Sequence, residues 1–216
     1  MEDLREYINR LRHDFMQMSL DESMVQPDAI DQFEQWFRHA VDAEVKEPNA
    51  FVLSTVGNDL RPSARIVLLR DFNQDGFVFY TNYNSRKARE INENAAACMT
   101  FFWPELERQV RIEGTLIKQN TVASDFYFAA RPRTSRIGAW ASPQSTVLKN
   151  RRELDQLLGE VEKQFEGKDV PRPDWWGGYV LQPESIEFWQ GRPSRLHDRL
   201  EYTKSTGAWS ISRLAP

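Results

Sequence analysis

The amino-acid sequence predicts an α+β fold, an antiparallel β-barrel with helices packed around it. Short β-rich runs separated by turn residues begin at Ala50 and occupy the middle of the chain. Segments with helical periodicity precede and follow these runs, and strand-like runs return near the C-terminus. The 216 residues suit one domain with helical additions.

The N-terminal segment differs in composition from the rest of the chain. Residues 2–18 have few large apolar side chains, which predicts at most a loosely held amphipathic helix. We therefore expect residues 1–27 to form a mobile N-terminal segment and residues 28–216 to form a single domain.

The first well-defined element is a helix. Pro27 and Asp28 form a helix start signal, apolar residues then recur at helical spacing from Ile30 to Val45, and Pro48 ends the pattern. Three strands follow, with the sequences AFVLSTV, PSARIVLLRDF and FVFYTN. Turn residues separate them, which is typical of hairpins and predicts a meander.

The second half alternates helices and strands. A short helix capped by Ser85 precedes the strands AACMTFFW and ERQVRIEGTLIKQ. Five strands in such a short stretch need closure or burial, which favours a barrel. The remaining predictions are helices over residues 121–130 and 149–165, a loop around Pro132, a linker over residues 167–178, and final strands at SIEFWQ, DRLEYTK and WSISRL.

Composition excludes several classes of protein. A single cysteine, Cys98, and three scattered histidines predict no internal disulfide and no metal site. The longest apolar stretch, residues 95–103, is far short of the roughly 20 residues of a membrane helix. A net charge of −4 argues against nucleic acid as a partner. The N-terminus lacks the apolar region of a signal peptide, so we expect a cytoplasmic protein.

Common nucleotide-binding and hydrolase motifs are also missing. None of the ten glycines forms a GxG, which excludes the Rossmann and P-loop fingerprints, and GxSxG and HExxH do not occur. The basic residues, in contrast, are strongly biased, with 21 arginines against 7 lysines. Arginine suits the recognition of phosphate and planar anions, although a GC-rich genome produces the same bias.

The first cluster of candidate residues surrounds two strand ends. Arg65 and Arg70 flank four apolar residues, and Arg86 and Lys87 begin the helix after Ser85. Cations beside the free N–H groups of a helix start form a phosphate site. The alternative is that Arg86 and Lys87 simply lie on a solvated helix face.

The second cluster lies in the segment FYFAARPRTSRIGAW. It combines Tyr127 and Ser135 with three arginines, Arg131, Arg133 and Arg136. As a loop around Pro132, this segment suits a second anion. The alternative is that the arginines pair with surface carboxylates.

The third cluster, IEFWQGRPSRLHDR, contains an aromatic plane, two guanidinium groups and a histidine. In a strand, Arg195, His197 and Arg199 would share one face, because alternate residues do. Three basic groups on one face, next to Trp189, favour a bound anion. For His197 alone, the alternative is a structural imidazole.

Taken together, the motifs RIVLLR, FYTNYNSRKA, ERQVRIEG, RPRTSRIGAWASPQS, WGGY, EFWQGRPSRLHDR and WSISRLAP resemble the pyridoxamine 5′-phosphate oxidase family from about residue 28 to residue 216. The resemblance implies a split β-barrel homodimer that binds FMN. It also implies oxidation of pyridoxamine 5′-phosphate or pyridoxine 5′-phosphate to pyridoxal 5′-phosphate by O2, with H2O2 as product.

The resemblance also implies roles for individual residues. The FMN site would comprise Arg65, Ile66, Val67, Leu68, Leu69, Arg70, Tyr80, Thr81, Arg86, Lys87, Gln109, Gln144, Ser145, Trp189 and Arg199. The substrate site would comprise Arg70, Tyr127, Arg131, Ser135, Arg195, Leu196 and His197, with Arg195 and His197 as the catalytic pair. Two positions depart from the family: Arg70 replaces the usual Lys, and Phe15 replaces the Tyr of an N-terminal Arg-x-x-Tyr that here begins at Arg12.

Three other functions remain open at this point. Split barrels also occur in proteins that hold a flavin, haem or vitamer without oxidising it. An FMN oxidoreductase could act on another substrate. A barrel rich in Arg and Trp could bind single-stranded nucleic acid by stacking, but the acidic net charge counts against that function.

Overall fold

The structure, a computed structural model, describes residues 18–216. Arg12, Phe15 and most of the predicted N-terminal helix lie outside the described residues. The strands are β1 (Ala50–Val56), β2 (Pro62–Leu68), β3 (Asp71–Asn73), β4 (Gly76–Asn82), β5 (Ala96–Trp103), β6 (Arg108–Lys118), β7 (Trp176–Gln190), β8 (Asp198–Ser205) and β9 (Ala208–Arg213). The helices are α1 (Ala29–Asp42), α2 (Arg86–Glu93), α3 (Thr121–Ala130), α4 (Arg133–Ala141) and α5 (Arg151–Gln164). None of the described helices is long and apolar enough to cross a membrane.

The strands form one antiparallel sheet in the order β2-β1-β5-β6-β7-β4-β3, and β8 pairs with β7 and β9. The hairpins β1–β2 and β3–β4 agree with the predicted turns, but the predicted meander is wrong. The segment predicted as one strand changes partner in its middle: Leu69 N–H donates to Asn49 O at 2.8 Å, and Arg70 N–H donates to Val78 O at 2.9 Å. The backbone thus leaves the β1 ladder and joins the β4 ladder between these two residues.

The chain divides into two compact units. The first consists of the described part of Met1–Pro48 together with Thr100–Ile112 and Ser185–Pro216. Its core is aromatic: Phe33 of α1 lies 5.2 Å from Phe101, and Trp36 lies 5.2 Å from Phe188, measured between ring centroids. Asp28 caps α1 by accepting from Ile30 N–H at 2.7 Å, as the start signal predicts.

The second unit consists of Asn49–Met99 and Glu113–Glu184. Its sheet core contains Phe51 of β1 and Phe79 of β4, whose ring centroids lie 6.1 Å apart. A smaller apolar cluster, made of Ile137, Phe165 and Val170, joins α4 to the residues that follow α5. The predicted single domain over residues 28–216 remains a prediction.

Three further sequence predictions are wrong in detail. Val45 lies beyond the end of α1, although it is buried. The predicted loop around Pro132 is largely helix α4, which begins directly after that proline. The end of the predicted linker, from Trp176, already belongs to β7. Glu44, with a left-handed φ of 54°, ends α1 before Val45, whereas the unpredicted helix and strand bury Ile137 and Trp176.

Candidate functional site

A cavity of about 430 Å³ in the second unit gathers residues from the first two predicted clusters. Seven of its lining residues were predicted from the sequence: Arg70, Tyr80, Thr81, Tyr127, Arg131, Ser135 and Gln144. The other lining residues, which the sequence reasoning missed, are Asn82, Gly138, Ala139, Ser142 and Trp176. The residues come from β4, α3, α4, the start of β7 and the segments beside β3, α3 and α4, so the topology rather than sequence proximity assembles the cavity.

Three parallel aromatic rings form one wall of the cavity. The rings of Tyr80 and Tyr127 have centroids 3.9 Å apart and planes 5° apart, and Trp176 lies 5.4 Å from Tyr80 with planes 8° apart. Gly178 is opposite Tyr80 in the β4–β7 ladder, and a Cβ there would lie 2.9 Å from Tyr80 Cε1. This glycine therefore leaves room for the Tyr80 ring.

Two guanidinium groups line the cavity without carboxylate partners in the part of the chain that the structure describes. Arg131 Cζ lies 4.6 Å from the centroid of the Trp176 ring, and its buried Nη1 atom has no hydrogen-bond partner among the described residues. Burial lowers the pKa of Arg131, and the nearby positive charge of Arg70 lowers it further. Within residues 18–216, the Arg70 side chain makes no hydrogen bond or ion pair. Such an arrangement leaves both cations available to an anion.

The start of α4 adds backbone donors beside these cations. Pro132 precedes the helix and provides no side-chain cap, so the N–H groups of Arg133 and Thr134 have no acceptor within residues 18–216, whereas Ser135 N–H, in the same first turn, donates to Pro132 O at 2.9 Å. A helix start and adjacent guanidinium groups together favour a phosphate.

Lys87 belongs to a second cationic position at the start of α2. Its Nζ donates to Gln144 Oε1 at 2.9 Å, Thr81 Oγ1 at 3.1 Å and Ser85 Oγ at 3.3 Å. Ser85 also caps α2, as predicted. Burial and, secondarily, the positive charge of Arg65 lower the pKa of Lys87 to about 8. In the described part of the chain, Lys87 has only neutral hydrogen-bond acceptors, which suits an added anion.

Arg65 and Arg86, in contrast, share an internal carboxylate. Glu90 Oε1 accepts from Arg86 Nε at 2.8 Å, and Glu90 Oε2 lies 3.2 Å from Arg65 Nη2. Burial acts to raise the pKa of Glu90, but hydrogen bonds from Ser63, Thr55 and Arg86 outweigh it and hold the pKa at about 2. The sequence reasoning missed Glu90, although its i,i+4 spacing from Arg86 was a usable signal.

The three arginines of the second cluster have separate roles. Arg133 donates to Phe165 O at 2.5 Å and Lys168 O at 2.7 Å, and Arg136 pairs with Asp169 at 2.8 Å. These two attach α4 to the segment after α5. Arg136 agrees with the alternative of pairing with a surface carboxylate, whereas Arg133 binds backbone carbonyls instead. Only Arg131 of the three lines the cavity.

The other predicted flavin residues of the second unit lie outside this cavity lining. Ile66 lies on β2, the strand at one end of the strand order, and is 65% exposed, whereas Leu69, just after β2, is buried. Val67 and Leu68 are half-buried, and Ser145 is exposed with a φ of 69°. The backbone at Arg65–Leu68 thus belongs to an edge strand.

The third cluster lies in the first unit, and its predicted strand geometry is wrong. Pro193–Arg195 is a 3₁₀ turn with positive φ values of 59° at Ser194 and 61° at Arg195, and β8 begins only at Asp198. Arg195, His197 and Arg199 therefore do not share one strand face. Pro193 cannot donate to a ladder, and two left-handed residues end the extended backbone.

His197 and Trp189 are nevertheless adjacent. Their ring centroids lie 4.6 Å apart, and His197 Nδ1 accepts from Arg192 N–H at 3.1 Å. Burial, followed by the charge of Arg195, lowers the pKa of His197. A neutral ring with Nδ1 as acceptor carries its proton on Nε2. Arg195 and Leu196 are exposed, the latter by 69%.

Arg199 is held by an internal ion pair. Its Nε and Nη2 donate to the two oxygens of buried Glu187 at 2.8 and 3.1 Å, and its Nη1 donates to Ala215 O at 2.8 Å. Arg111 also pairs with Glu187, at 2.8 Å. Gln109, on the same strand as Arg111, is half-buried. The structure thus holds Arg199 firmly without showing a direct role in ligand binding.

Comparison with known proteins identifies the family. A family model described as pyridoxamine 5′-phosphate oxidase matches residues 37–165, and one described as the pyridoxine 5′-phosphate oxidase C-terminal dimerisation region matches residues 176–216. The chain belongs to the pyridoxamine 5′-phosphate oxidase family. A relative from Rubrobacter xylanophilus, named pyridoxine/pyridoxamine 5′-phosphate oxidase, is 52% identical over 215 residues, which is 100% of this chain and 99% of that protein.

Solved structures confirm the predicted split-barrel class. PhzG from Burkholderia lata, crystallised with tetrahydrophenazine-1-carboxylic acid, is 29% identical with a TM-score of 0.87, covering 94% of this chain and 100% of that chain. An FMN-binding, pyridoxamine 5′-phosphate oxidase-related protein from Nostoc punctiforme has a TM-score of 0.68 at 18% identity, covering 85% of this chain and 97% of that chain, and shows the fold alone. The family resemblance drawn from the sequence is thus confirmed, and the chain is a member of a family of flavoprotein oxidoreductases.

Proposed function

We propose that this protein is an FMN-dependent oxidase that converts pyridoxine 5′-phosphate and O2 to pyridoxal 5′-phosphate and H2O2. With pyridoxamine 5′-phosphate, one water is consumed and ammonia is released in addition. The observation that carries the proposal is the cavity in which Arg70 and Arg131, both without carboxylate partners in the described chain, converge with Tyr127 and Ser135. Membership in the oxidase family supports the same reaction.

The residues at the start of α2 fit the phosphate of FMN. Lys87 is partly desolvated, has only neutral acceptors among the described residues, and lies beside Thr81, Ser85 and Gln144. Arg86 extends into solvent from the same helix turn with a side chain that is 61% exposed. An anion there would restore charge balance, whereas a neutral ligand would not. FMN bound there would supply the hydride acceptor and the reaction with O2.

Arg70, Tyr127, Arg131 and Ser135 are proposed to bind the phosphate of the substrate. Arg131 is oriented by the Trp176 ring, 4.6 Å away, so its guanidinium loses little conformational freedom on binding. A hydrogen bond to a charged group contributes roughly 1.5–3 kcal/mol. Phosphorylated vitamers should therefore be much better substrates than free pyridoxine.

Arg195 and His197 are proposed to position the pyridine ring and assist proton movement. The hydrogen bond from Arg192 N–H to Nδ1 sets the neutral tautomer of His197 that carries its proton on Nε2, and we propose this N–H as a donor to the substrate. Trp189, Gln109 and Arg199 would complete the flavin site. The match to a dimerisation region supports a homodimer, and we propose that both subunits contribute residues to each site. A cytoplasmic location and the absence of a nucleic-acid partner belong to the same proposal.

The identity of the cofactor and the reaction are tested separately. Mass spectrometry of the cofactor released by heat should find FMN, and stoichiometric FAD or haem would refute the assignment. Peroxide release should follow addition of pyridoxine 5′-phosphate to the yellow protein and should be much weaker with pyridoxine. PhzG shows that a similar chain binds a phenazine carboxylic acid, so tetrahydrophenazine-1-carboxylic acid is the competing substrate. Its oxidation without that of the phosphorylated vitamers would overturn the proposal.

A further inference from the structure

Glu90 is a buried carboxylate that accepts from side chains on three elements. Thr55 Oγ1 of β1 and Ser63 Oγ of β2 each donate to Glu90 Oε2 at 2.6 Å. Arg65 Nη2 of β2 donates to the same oxygen at 3.2 Å, and Arg86 Nε of α2 donates to the other oxygen at 2.8 Å. One carboxylate therefore links β1, β2 and α2 at the place where we assign the FMN phosphate.

The two arginines differ in how many of their N–H donors are occupied by hydrogen bonds. Arg65 is largely occupied, because its Nη1 also donates to Leu53 O at 3.1 Å and to Thr55 Oγ1 at 2.5 Å, and its Nη2 contacts Ser63 Oγ. Arg86 is attached only through Nε, and its two Nη groups make no hydrogen bond within residues 18–216. Glu90 thus holds the Arg86 guanidinium by one edge and leaves the other edge for a ligand.

The local charges agree with this arrangement. Arg65, Arg86 and Lys87 supply three positive charges, and Glu90 supplies one negative charge. The remaining two positive charges match a phosphate monoester, which carries a charge of about −1.5 to −2 near pH 7. Without Glu90, three cations would repel one another across the same few ångströms.

We propose that Glu90 is a positioning residue for the phosphate of the flavin, and this inference rests on the proposed FMN site. Glu90 does not touch the ligand in this proposal. It holds Arg86 and Arg65 in the binding arrangement before the ligand arrives, which lowers the entropic cost of binding. If its charge acted only through space, Glu90 would repel the phosphate, so its removal would tighten binding. A positioning role therefore predicts weaker FMN binding when Glu90 is removed, whereas repulsion predicts tighter binding.

The test compares FMN with riboflavin, which lacks the phosphate. Flavin fluorescence quenching measures the affinity of the full-length protein, freed of bound flavin, for each compound. Glu90→Gln preserves size but removes the charge, and its amide N–H groups oppose the donors of Arg86 and Arg65. We expect FMN binding to weaken by tenfold or more while riboflavin binding changes by less than about twofold. A purely structural defect in α2 would weaken both.

Glu93→Gln is the matched control. Glu93 lies on the same helix and also attaches it to the β1–β2 hairpin, because Oε2 accepts from Asn58 N–H at 3.0 Å. It does not contact Arg65 or Arg86 in the structure, so Glu93→Gln should preserve the ratio of the FMN and riboflavin affinities.

Thr55→Val is a milder perturbation that can replace Glu90→Gln in the binding test if Glu90→Gln does not fold. It removes one of the two hydroxyl donors to Glu90 Oε2 and should weaken FMN binding several-fold, again without an equal effect on riboflavin. An unchanged or tighter FMN affinity in both variants, or an equal loss for both flavins, would overturn the role of Glu90. Failure of the wild-type protein to bind FMN would instead overturn the proposed function, so the two failures are distinguishable.

Discussion

Replacing Arg131 with methionine should separate substrate recognition from folding. Methionine preserves most of the apolar stem that packs near Trp176 but removes the charge. Because the guanidinium lines the cavity with an Nη1 atom that no described residue accepts from, its bond to a substrate phosphate is worth roughly 1.5–3 kcal/mol. At about 1.4 kcal/mol per tenfold change, KM for pyridoxine 5′-phosphate should rise about 10- to 100-fold.

The same substitution should have little effect on stability. The cation–π contact with Trp176 contributes about 0.5–1 kcal/mol, and losing a partly buried cation relieves a desolvation cost that opposes this loss. The free energy of unfolding of Arg131→Met should stay within about 1 kcal/mol of wild type. KM for free pyridoxine should not change, and kcat should change less than KM, because the phosphate contact exists both before and during the reaction.

Arg133→Met is the control with the opposite expectation. Arg133 lies two residues away but donates to Phe165 O and Lys168 O, so its loss should cost about 1–2 kcal/mol of stability. For a chain of this size, that corresponds to a decrease of about 2–8 °C in Tm. The preference of the Arg133→Met variant for pyridoxine 5′-phosphate over pyridoxine should remain. A role of Arg131 in phosphate binding is excluded if Arg131→Met retains wild-type KM for pyridoxine 5′-phosphate, or if Arg133→Met loses the preference for phosphorylated substrate instead.

Four other predictions follow from the same geometry. The pKa of Lys87 is lowered to about 8, so FMN affinity should fall as the pH rises through 8 and the ammonium loses its proton. Riboflavin affinity should not change over this pH range. A pH-independent FMN affinity would contradict the role of Lys87. Arg70→Ala should raise KM for pyridoxine 5′-phosphate about tenfold, and Arg70→Lys should recover most of the lost affinity. If Arg70→Ala keeps the wild-type preference for pyridoxine 5′-phosphate over pyridoxine, Arg70 lies outside the phosphate site. Arg195→Leu and His197→Asn should lower kcat/KM at near wild-type flavin content, whereas normal turnover would return both to structural roles. Sedimentation of the holoprotein should find a dimer, and a fully active, flavin-loaded monomer would refute the shared site.

Local chemistry made much of the fold predictable. The start of α1 at Asp28 and the start of α2 after Ser85 follow from caps that act within three residues, and both hairpins follow from their turn residues. The change of strand partner between Leu69 and Arg70 was not predictable in this way. No Gly or Pro marks the position, and the cause is competition between two distant ladders for the same backbone.

The candidate site shows the same division between local and distant causes. Residue type identified the cations, but it could not say which of them have internal partners. Arg65 and Arg199 find carboxylates that only the fold brings near them, whereas the partner of Arg86, Glu90, lies four residues along the same helix. Arg131 and Lys87 differ from these arginines because no described carboxylate reaches them, and they remain partly buried at a cost in desolvation. A positive charge that is partly buried without a carboxylate partner is stabilised when an anion binds. The cations that the fold leaves unpaired are therefore better evidence for the two proposed phosphate positions than the number of arginines in the sequence.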